Sequence, residues 1–424
     1  MIHVKDFMLA VVILAHMNAS EKPALRRTLT LPLLVFYGVG VTVGAGIFAL
    51  IGEILSLAGD KAPLAFLLAG LIAGATGFSY ALLVRVFPRA GGEAVFVNRG
   101  LGTIAGRLAG LGVVITGIVS SAVIALAFAG YVQALIALPA PLLTAGVVLL
   151  LAFVAWWGVR ESVIFAAVIT LLEVGTLVFI ILSGMPLLAN ADVMLSAFTP
   201  VADLAVMAPV LSGAVIAFFA FIGFEDIENM AEETRDPERT APRAILVTLA
   251  ITMVIYVALS AIAVMAPDRA AITGSGAPVA VLFETVTGWS GQPIAAIAAI
   301  AMVNGILVQI VMAARVLYGM ANEGLLPRWF AAVDPVHRTP ARATWAVAAV
   351  IILLALLFPL VRLAEATSLV TLVVFTLVNL SLFFIASRQP ETGLLPWRWW
   401  GLAGAAISAG LALFQVLSGI TGGH

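Results

Sequence analysis

The sequence predicts an all-α integral membrane protein with two interrupted helices, and three observations support this fold class. Hydrophobic residues make up 63% of the 424 positions and charged residues only 10%, whereas soluble domains carry about 25% charged residues. The apolar residues form about eleven segments near the roughly 20-residue length that crosses a bilayer as a helix. Two of these segments carry glycine in the middle, and glycine weakens a helix at such a position.

The length rule places eleven predicted spans along the chain, joined by short connections. With the N-terminus in the cytoplasm, all but three of the 21 basic residues fall in cytoplasmic segments. The exceptions are Lys61, Arg269 and Arg362. The positive-inside rule therefore supports both the number and the orientation of the spans. The predicted spans are residues 31–55, 63–86, 105–137, 141–158, 162–184, 208–230, 243–266, 292–322, 343–361, 365–386 and 399–419.

The first span carries Gly38, Gly40, Gly44 and Gly46 within one apolar run. A helix in hydrocarbon must satisfy its backbone polar groups internally, and glycine is a poor helix former. Unwound backbone at membrane depth is tolerated where it is buried in protein or lines a cavity, which is where transporters bind substrates. Close helix packing through small residues is the alternative. A dinucleotide-binding loop is disfavoured inside a membrane span.

The sixth span carries the second interruption, between Phe219 and Glu225. Interruptions in the first and sixth spans suggest two five-helix halves, and an odd repeat length gives them opposite orientations. Residues 7–17 are apolar but too short to span, so they are either an interfacial helix or lie upstream of a start at Met17. The predicted segments are a cytoplasmic N-terminal segment (1–30), a first repeat (31–184), a second, inverted repeat (208–386) and an additional C-terminal transmembrane helix (387–424).

Several motifs, in this order and spacing, resemble those of the amino acid–polyamine–organocation transporters. They are Gly-Ala-Gly-Ile-Phe at 44–48, Phe-Pro-Arg-Ala-Gly-Gly at 87–92, Phe-Ile-Gly-Phe-Glu at 221–225, Ala-Glu-Glu at 231–233, the loop 236–245, and residues 315–321 with 324–327. The resemblance implies a leucine-transporter-type fold of five-plus-five inverted repeats and secondary active transport of amino acids by alternating access. Two features depart from many members: eleven rather than twelve helices, and Glu173 where lysine is common.

The resemblance also implies where the common head group of an amino acid binds. Backbone N–H groups of Gly44, Ala45 and Gly46, at the positive end of the outer half-helix, would hold the carboxylate. By the same resemblance, Phe219 is an aromatic gate that closes over the substrate, with packing as the alternative. The groups expected near the amino group are Thr42, Val43 and the carbonyls of Phe219, Ala220 and Ile222.

Three polar side chains are expected to line the same pocket: Gln309 on the eighth span, and Thr116 and Ser120 on the third. Interhelical hydrogen bonds, worth about 0.6–2 kcal/mol, are the alternative role. The pocket helices carry no Asp or Lys near Gln309 or Ser120. This favours a neutral amino acid as substrate, and a cationic amino acid or a polyamine is the alternative.

Two carboxyl groups at membrane depth, Glu173 and Glu225, are candidates for proton or cation coupling, because charged groups there are costly and usually functional. A structural hydrogen bond is the alternative for Glu173, and bracing of the interrupted helix is the alternative for Glu225. Sodium-coupled relatives of the fold complete a sodium site with hydroxyl oxygens of the eighth helix, but residues 291–338 contain no Ser or Thr. The sequence therefore favours proton coupling or exchange without sodium.

The remaining composition argues against other classes of protein. With no cysteine, disulfides, thiol nucleophiles and cysteine metal sites are excluded. The four histidines lie outside the predicted spans, so we expect no enzyme active site, no metal and no cofactor. No basic run indicates nucleic acid binding. The expected partners are an amino acid and the lipid of the cytoplasmic membrane, and a channel or an amino acid sensor on the same fold stays open.

Overall fold

Helices account for nearly all of the regular structure. The computed structural model describes residues 27–88, 91–158, 163–189, 191–200, 203–322, 324 and 326–421. The N-terminal alternatives for residues 1–17 lie outside these residues. The described helices are α1 (Leu31–Ala58), α2 (Ala62–Val86), α3 (Gly92–Leu101), α4 (Thr103–Gln133), α5 (Ala140–Trp157), α6 (Val163–Gly184), α7 (Ala191–Phe198), α8 (Leu204–Phe219), α9 (Asp226–Asn229), α10 (Pro237–Met265), α11 (Arg269–Thr273), α12 (Pro278–Thr287), α13 (Gln292–Asn322), α14 (Ala341–Leu357), α15 (Leu360–Arg388) and α16 (Arg398–Thr421).

The helices have the length and apolar character of a membrane bundle. Among the described residues, eight stretches are long and apolar enough to cross a membrane. One of these stretches, Leu31–Val86, contains both α1 and α2, while α8 and α14 are shorter apolar helices. The prediction of an all-helical integral membrane protein is therefore confirmed. The total of eleven spans stays a prediction.

Four short helices, α3, α7, α11 and α12, were not predicted. Each has ten residues or fewer, so none reaches the length by which spans are recognised. Isolated helices this short are marginal in water, and tertiary packing is what stabilises them. One of the two longest, α3, packs against α4 where Gly106 lies against Asn98, and a side-chain carbon on Gly106 would come within 2.7 Å of the Asn98 Cβ.

Both predicted interruptions are present. In α1 the backbone leaves the helical conformation at Gly44, with φ −22° and ψ −138°. In the predicted sixth span, α8 ends at Phe219, residues 220–225 form turns, and α9 follows. Gly223 has φ +121°, a conformation that L side chains rarely adopt. The predicted sixth span, 208–230, therefore consists of two helices joined by a turn, as the interruption predicts.

Contacts at the helix ends bring connecting segments together in two groups. At one end, Leu29 pairs with the segment after α9: its N–H donates to Glu233 O at 3.0 Å, and its carbonyl accepts from Arg235 N at 2.9 Å. At the other, Arg269 pairs with Asp60, between α1 and α2. Each group joins connections that the sequence places on the same side of the membrane. Which side is cytoplasmic stays a prediction.

A buried polar network joins α2, α15 and α16. Asn379 on α15 is fully buried. Its Oδ1 accepts a 2.6 Å hydrogen bond from Ser79, and its Nδ2 donates to Thr76 at 2.9 Å. On the other side, α16 approaches through Gly404, where a side-chain carbon would lie 2.5 Å from Asn379 Oδ1. The network anchors the last helix to the rest of the bundle.

Replacing Asn379 with Ala should lower the stability of this bundle by about 1–2 kcal/mol, because two interhelical hydrogen bonds in an apolar setting are lost. The measurement is thermal unfolding of the purified protein in detergent. Ser387→Ala on the same helix is the control, since that hydroxyl is exposed and bonds only its own helix at Phe383 O. Equal melting temperatures for the two variants would contradict the anchoring role.

Candidate functional site

The two interruptions lie against each other in the centre of the bundle. A side-chain carbon on Gly46 would lie 2.6 Å from the Cα of Ala220, and one on Gly223 would lie 3.0 Å from Val41 O. Real side-chain carbons do not come as close as 2.6 Å to a backbone carbon, so residue 46 must be glycine for the two chains to approach this far. The broken part of α1 and the turn after α8 therefore form one contiguous unit.

Tyr256 on α10 joins the two interruptions through its hydroxyl group. The hydroxyl lies 2.9 Å from Thr42 O and 2.9 Å from Ala220 O. It has one proton to donate, so the two carbonyl groups share it. The ring is fully buried and packs edge-on against Phe66 and Phe221, with centroids 5.8 and 5.1 Å away. These contacts fix the position of the hydroxyl between the two backbones.

The predicted head-group residues differ in what they face. A side-chain carbon on Gly44 would meet no atom within 4 Å, so this residue borders open space. Gly46 instead faces the Ala220 backbone. Thr42 is 2% exposed, and its hydroxyl donates to Gly38 O at 2.7 Å. Other predicted residues buried at the interruptions are Val43, Ala45, Phe219 and Ala220.

A cavity of about 40 Å³ lies beside the turn after α8. It brings together four of the site residues predicted from sequence and leaves out Gly44, Gly46, Phe219, Ser120 and Glu173. The hydroxyl of Ser120 instead donates to Gly117 O on its own helix, at 3.2 Å. The four predicted residues that line the cavity are Thr116, Ile222, Glu225 and Gln309.

Sequence reasoning missed several polar residues of this cavity. Thr371 on α15 lies 3.2 Å from Thr116, hydroxyl oxygen to hydroxyl oxygen. Glu93 follows directly after the motif at 87–92, and Asp226 follows Glu225, so proximity to a motif was the available signal. The missed polar residues are Glu93, Asp226, Asn229 and Thr371.

The acidic side of the cavity is held in place by hydrogen bonds that involve the motifs at 87–92 and 221–225. Glu225 Oε2 accepts from Gly223 N at 2.8 Å, within the turn. Tyr80 donates to Glu93 Oε1 at 3.2 Å, and Gly91 N donates to Asn229 Oδ1 at 3.1 Å. Burial raises the pKa of Glu93, which lies on α3 outside the predicted spans, because the charged form loses hydration.

Two further polar side chains near the cavity are deeply buried. Gln309 Oε1 has no hydrogen-bond partner, and the carboxyl group of Glu228 lies beside that of Glu93. Glu228 is fully buried, and its carboxyl group occupies the space where Gly92 would carry a side chain. Gly92 also has φ +36°. Because residue 92 is glycine, the carboxyl group of Glu228 fits against the start of α3.

Glu173 lies near the interruptions rather than at the cavity. It is 3% exposed, on α6. One turn earlier, Thr170 fills the space beside Gly40 of α1, and residues three apart lie on one helix face. Glu173 is also close enough to Tyr256 to interact with it electrostatically. Among the described residues, no group of three or more His, Asp or Glu is arranged to hold a metal ion.

Nearly the whole chain is similar in sequence to known membrane transporters. The amino acid permease family matches residues 29–423. A methylthioribose transporter of Bacillus subtilis is 27% identical over 88% of this chain and 84% of its own length. A branched-chain amino acid permease of the same organism is 26% identical, over 94% and 88%. A cationic amino acid transporter of Arabidopsis thaliana is 28% identical, over 86% and 63%.

The match covers far more than half of the chain, and it includes both interrupted helices and the residues that line the cavity. Transport rather than catalysis is the activity for which these relatives are named. The chain therefore belongs to the amino acid permease family.

Proposed function

We propose that the protein is a secondary active transporter of amino acids in the cytoplasmic membrane, working by alternating access without sodium. Its architecture would be the five-plus-five inverted repeat of eleven spans, with the N-terminus in the cytoplasm. The observation that carries the proposal is the contact between the two interrupted helices, with Gly44 facing open space and, close by, two backbone carbonyls that share the single hydroxyl donor of Tyr256.

The backbone at the interruptions suits the two charges that all amino acids share. The backbone leaves the helical conformation at Gly44, and N–H groups at the start of the half-helix that follows would bind a carboxylate, helped by the helix dipole. The carbonyls of Thr42 and Ala220 compete for a single proton from Tyr256. A substrate ammonium group has three protons and would donate a hydrogen bond to the carbonyl that does not receive the Tyr256 proton.

The size of the cavity supports movement during transport. One water molecule needs at least about 10–15 Å³ in such a measure, so 40 Å³ accommodates about three waters and no amino acid. Passage through this region would therefore require helices to separate. A rocking motion of one bundle against the other, around the fixed interruptions, would open it.

The polar residues of the cavity bear on the substrate. A neutral amino acid is the first candidate, and one relative is named for branched-chain substrates. That prediction rested on the lack of nearby charge, whereas Gln309 shares its cavity with Glu93, Glu225 and Asp226. These carboxyl groups favour a cationic amino acid or a polyamine as the second candidate, and another relative is named for cationic substrates.

Coupling to protons or to a counter-substrate fits the described residues better than coupling to sodium. Helix α13 has no Ser or Thr hydroxyl to complete a sodium site. Glu173 is buried beside the interruptions, where proton binding to a carboxyl group would change the charge next to the substrate. A channel or sensor on the same fold would show flux without accumulation, or binding without flux.

Purified protein in liposomes should accumulate a labelled amino acid against its gradient, because alternating access couples uphill movement to a second gradient. The measurement is uptake of labelled leucine and of labelled arginine, each with an excess of unlabelled competitor, including methylthioribose and spermidine. Uptake that only equilibrates would contradict a secondary transporter. Competition by arginine and spermidine, but not leucine, would select the cationic candidate.

Tyr256→Phe should raise the apparent KM for the substrate about tenfold, because both carbonyl groups lose their shared donor and the head-group site loosens. A tenfold change corresponds to about 1.4 kcal/mol, close to one buried hydrogen bond. The control is Tyr131→Phe, another fully buried tyrosine, whose hydroxyl donates to Phe48 O at 2.9 Å rather than to either of the two shared carbonyls. Both variants should lose stability, and an unchanged KM in Tyr256→Phe would contradict the role.

Glu173→Gln should flatten the pH dependence of uptake, because the amide keeps the size and polarity of the side chain but cannot exchange a proton. Initial uptake rates are measured across external pH 5 to 8 for the wild type and the variant. Glu365→Gln, a partly exposed carboxyl group paired with Arg362, is the control and should retain the wild-type profile. If the pH profile of Glu173→Gln follows that of the wild type, Glu173 has no role in proton coupling.

A further inference from the structure

An apolar groove runs along one face of α14, beside α5. Its volume is about 380 Å³, and only one of its lining residues, Leu149, comes from α5. The others recur at three- and four-residue spacing, so they form a single stripe on α14. The α14 residues that line the groove are Trp345, Ala348, Ala349, Ile352, Leu353 and Leu356.

Small side chains give this groove its depth. Ala348 is 1% exposed, and together with Ala349 it leaves a gap between Trp345 and Ile352. From Trp345 to Leu356 the helix rises about 16 Å, at 1.5 Å per residue. The result is an elongated groove on the surface of the bundle, lined by apolar side chains. Its shape suits a hydrocarbon chain.

One end of the groove is marked by aromatic and basic residues typical of a membrane–water interface. Arg342 precedes Trp345 by one turn, is exposed, and lies over the ring of Trp329 at 5.9 Å. Trp157 at the end of α5 is 56% exposed. The loop before α14 is fixed to this end of α5, because Thr339 donates to Trp156 O at 2.7 Å.

The charge at this end is positive and unpaired. Arg338 and Arg342 are both exposed, and neither forms an ion pair among the described residues. The nearby acid, Asp334, is engaged by other donors: its carboxylate accepts from Val336 N at 2.9 Å, from His337 N at 2.8 Å and from Trp156 Nε1 at 3.4 Å. Two arginines therefore remain free to bind an anion at interface depth.

We propose that this groove binds one anionic phospholipid, with an acyl chain along α14 and the phosphate group at Arg338 and Arg342. Arginine suits phosphate through its planar, forked donors. A second copy of the chain is a poorer occupant, because a symmetric dimer through this face would bring the arginines of both copies together at one depth. A zwitterionic lipid would leave the positive charge uncompensated.

The test uses the full chain in nanodiscs of phosphatidylcholine with or without phosphatidylglycerol. Native mass spectrometry should find one phosphatidylglycerol retained by the wild type, and this lipid should raise the melting temperature. The double variant Arg338→Gln/Arg342→Gln should bind it roughly 25-fold more weakly, at about fivefold per arginine. Ala349→Phe, at an exposed position, should block the groove and abolish retention.

Matched controls separate this site from general lipid contact. Arg398→Gln removes another arginine that lies over an aromatic ring, Trp399, at 4.9 Å, and Leu413→Phe enlarges an exposed apolar residue of α16. Both should retain the lipid. Equal stabilisation by the two lipids, retention by the double variant, or a dimer that Ala349→Phe disrupts would each overturn the proposal.

Discussion

The hydroxyl group of Tyr256 is the interaction on which the interrupted centre of the bundle depends. Each interruption frees backbone carbonyls, and no bulk water is available at membrane depth to pair them. A single phenol from α10 lies 2.9 Å from a carbonyl of each interruption, Thr42 O and Ala220 O. The two broken helices are therefore stabilised by a third, continuous helix. Its ring contacts with Phe66 and Phe221 hold the donor where both carbonyls can reach it.

The four glycines between residues 38 and 46 of α1 have different surroundings: three pack against other residues and one faces open space. Gly38 lies against Ile227, Gly40 against Thr170, and Gly46 against Ala220. Only Gly44, where the backbone leaves the helix, would place a side chain in open space. Close packing and ligand access, which the sequence offered as alternatives, thus belong to different residues of one motif. Three of these glycines therefore serve packing, and Gly44 alone of the four borders open space.

The interruptions were predictable because their cause is local, whereas the cavity was not. Glycine in an apolar run weakens a helix wherever the run lies, and span length follows from counting. The cavity needs α3, α13 and α15 to meet, so Glu93 and Thr371 become neighbours of Gln309 only through tertiary packing. Tyr256 carried no signal either, since a tyrosine within an apolar span predicts only burial. Motif resemblance identified Glu225 but not the acids beside it.

Glu225 physically links the cavity to the interrupted backbone. One of its oxygens accepts a hydrogen bond from Gly223 N, in the turn after α8, while the residue also lines the cavity. A cation or proton that enters the cavity would compete with Gly223 N for the same carboxylate. Weakening that bond would loosen a turn that packs against Val41, next to the proposed head-group site. Because coupling free energies are reciprocal, substrate that tightens the interruptions would in turn change the proton affinity of Glu225.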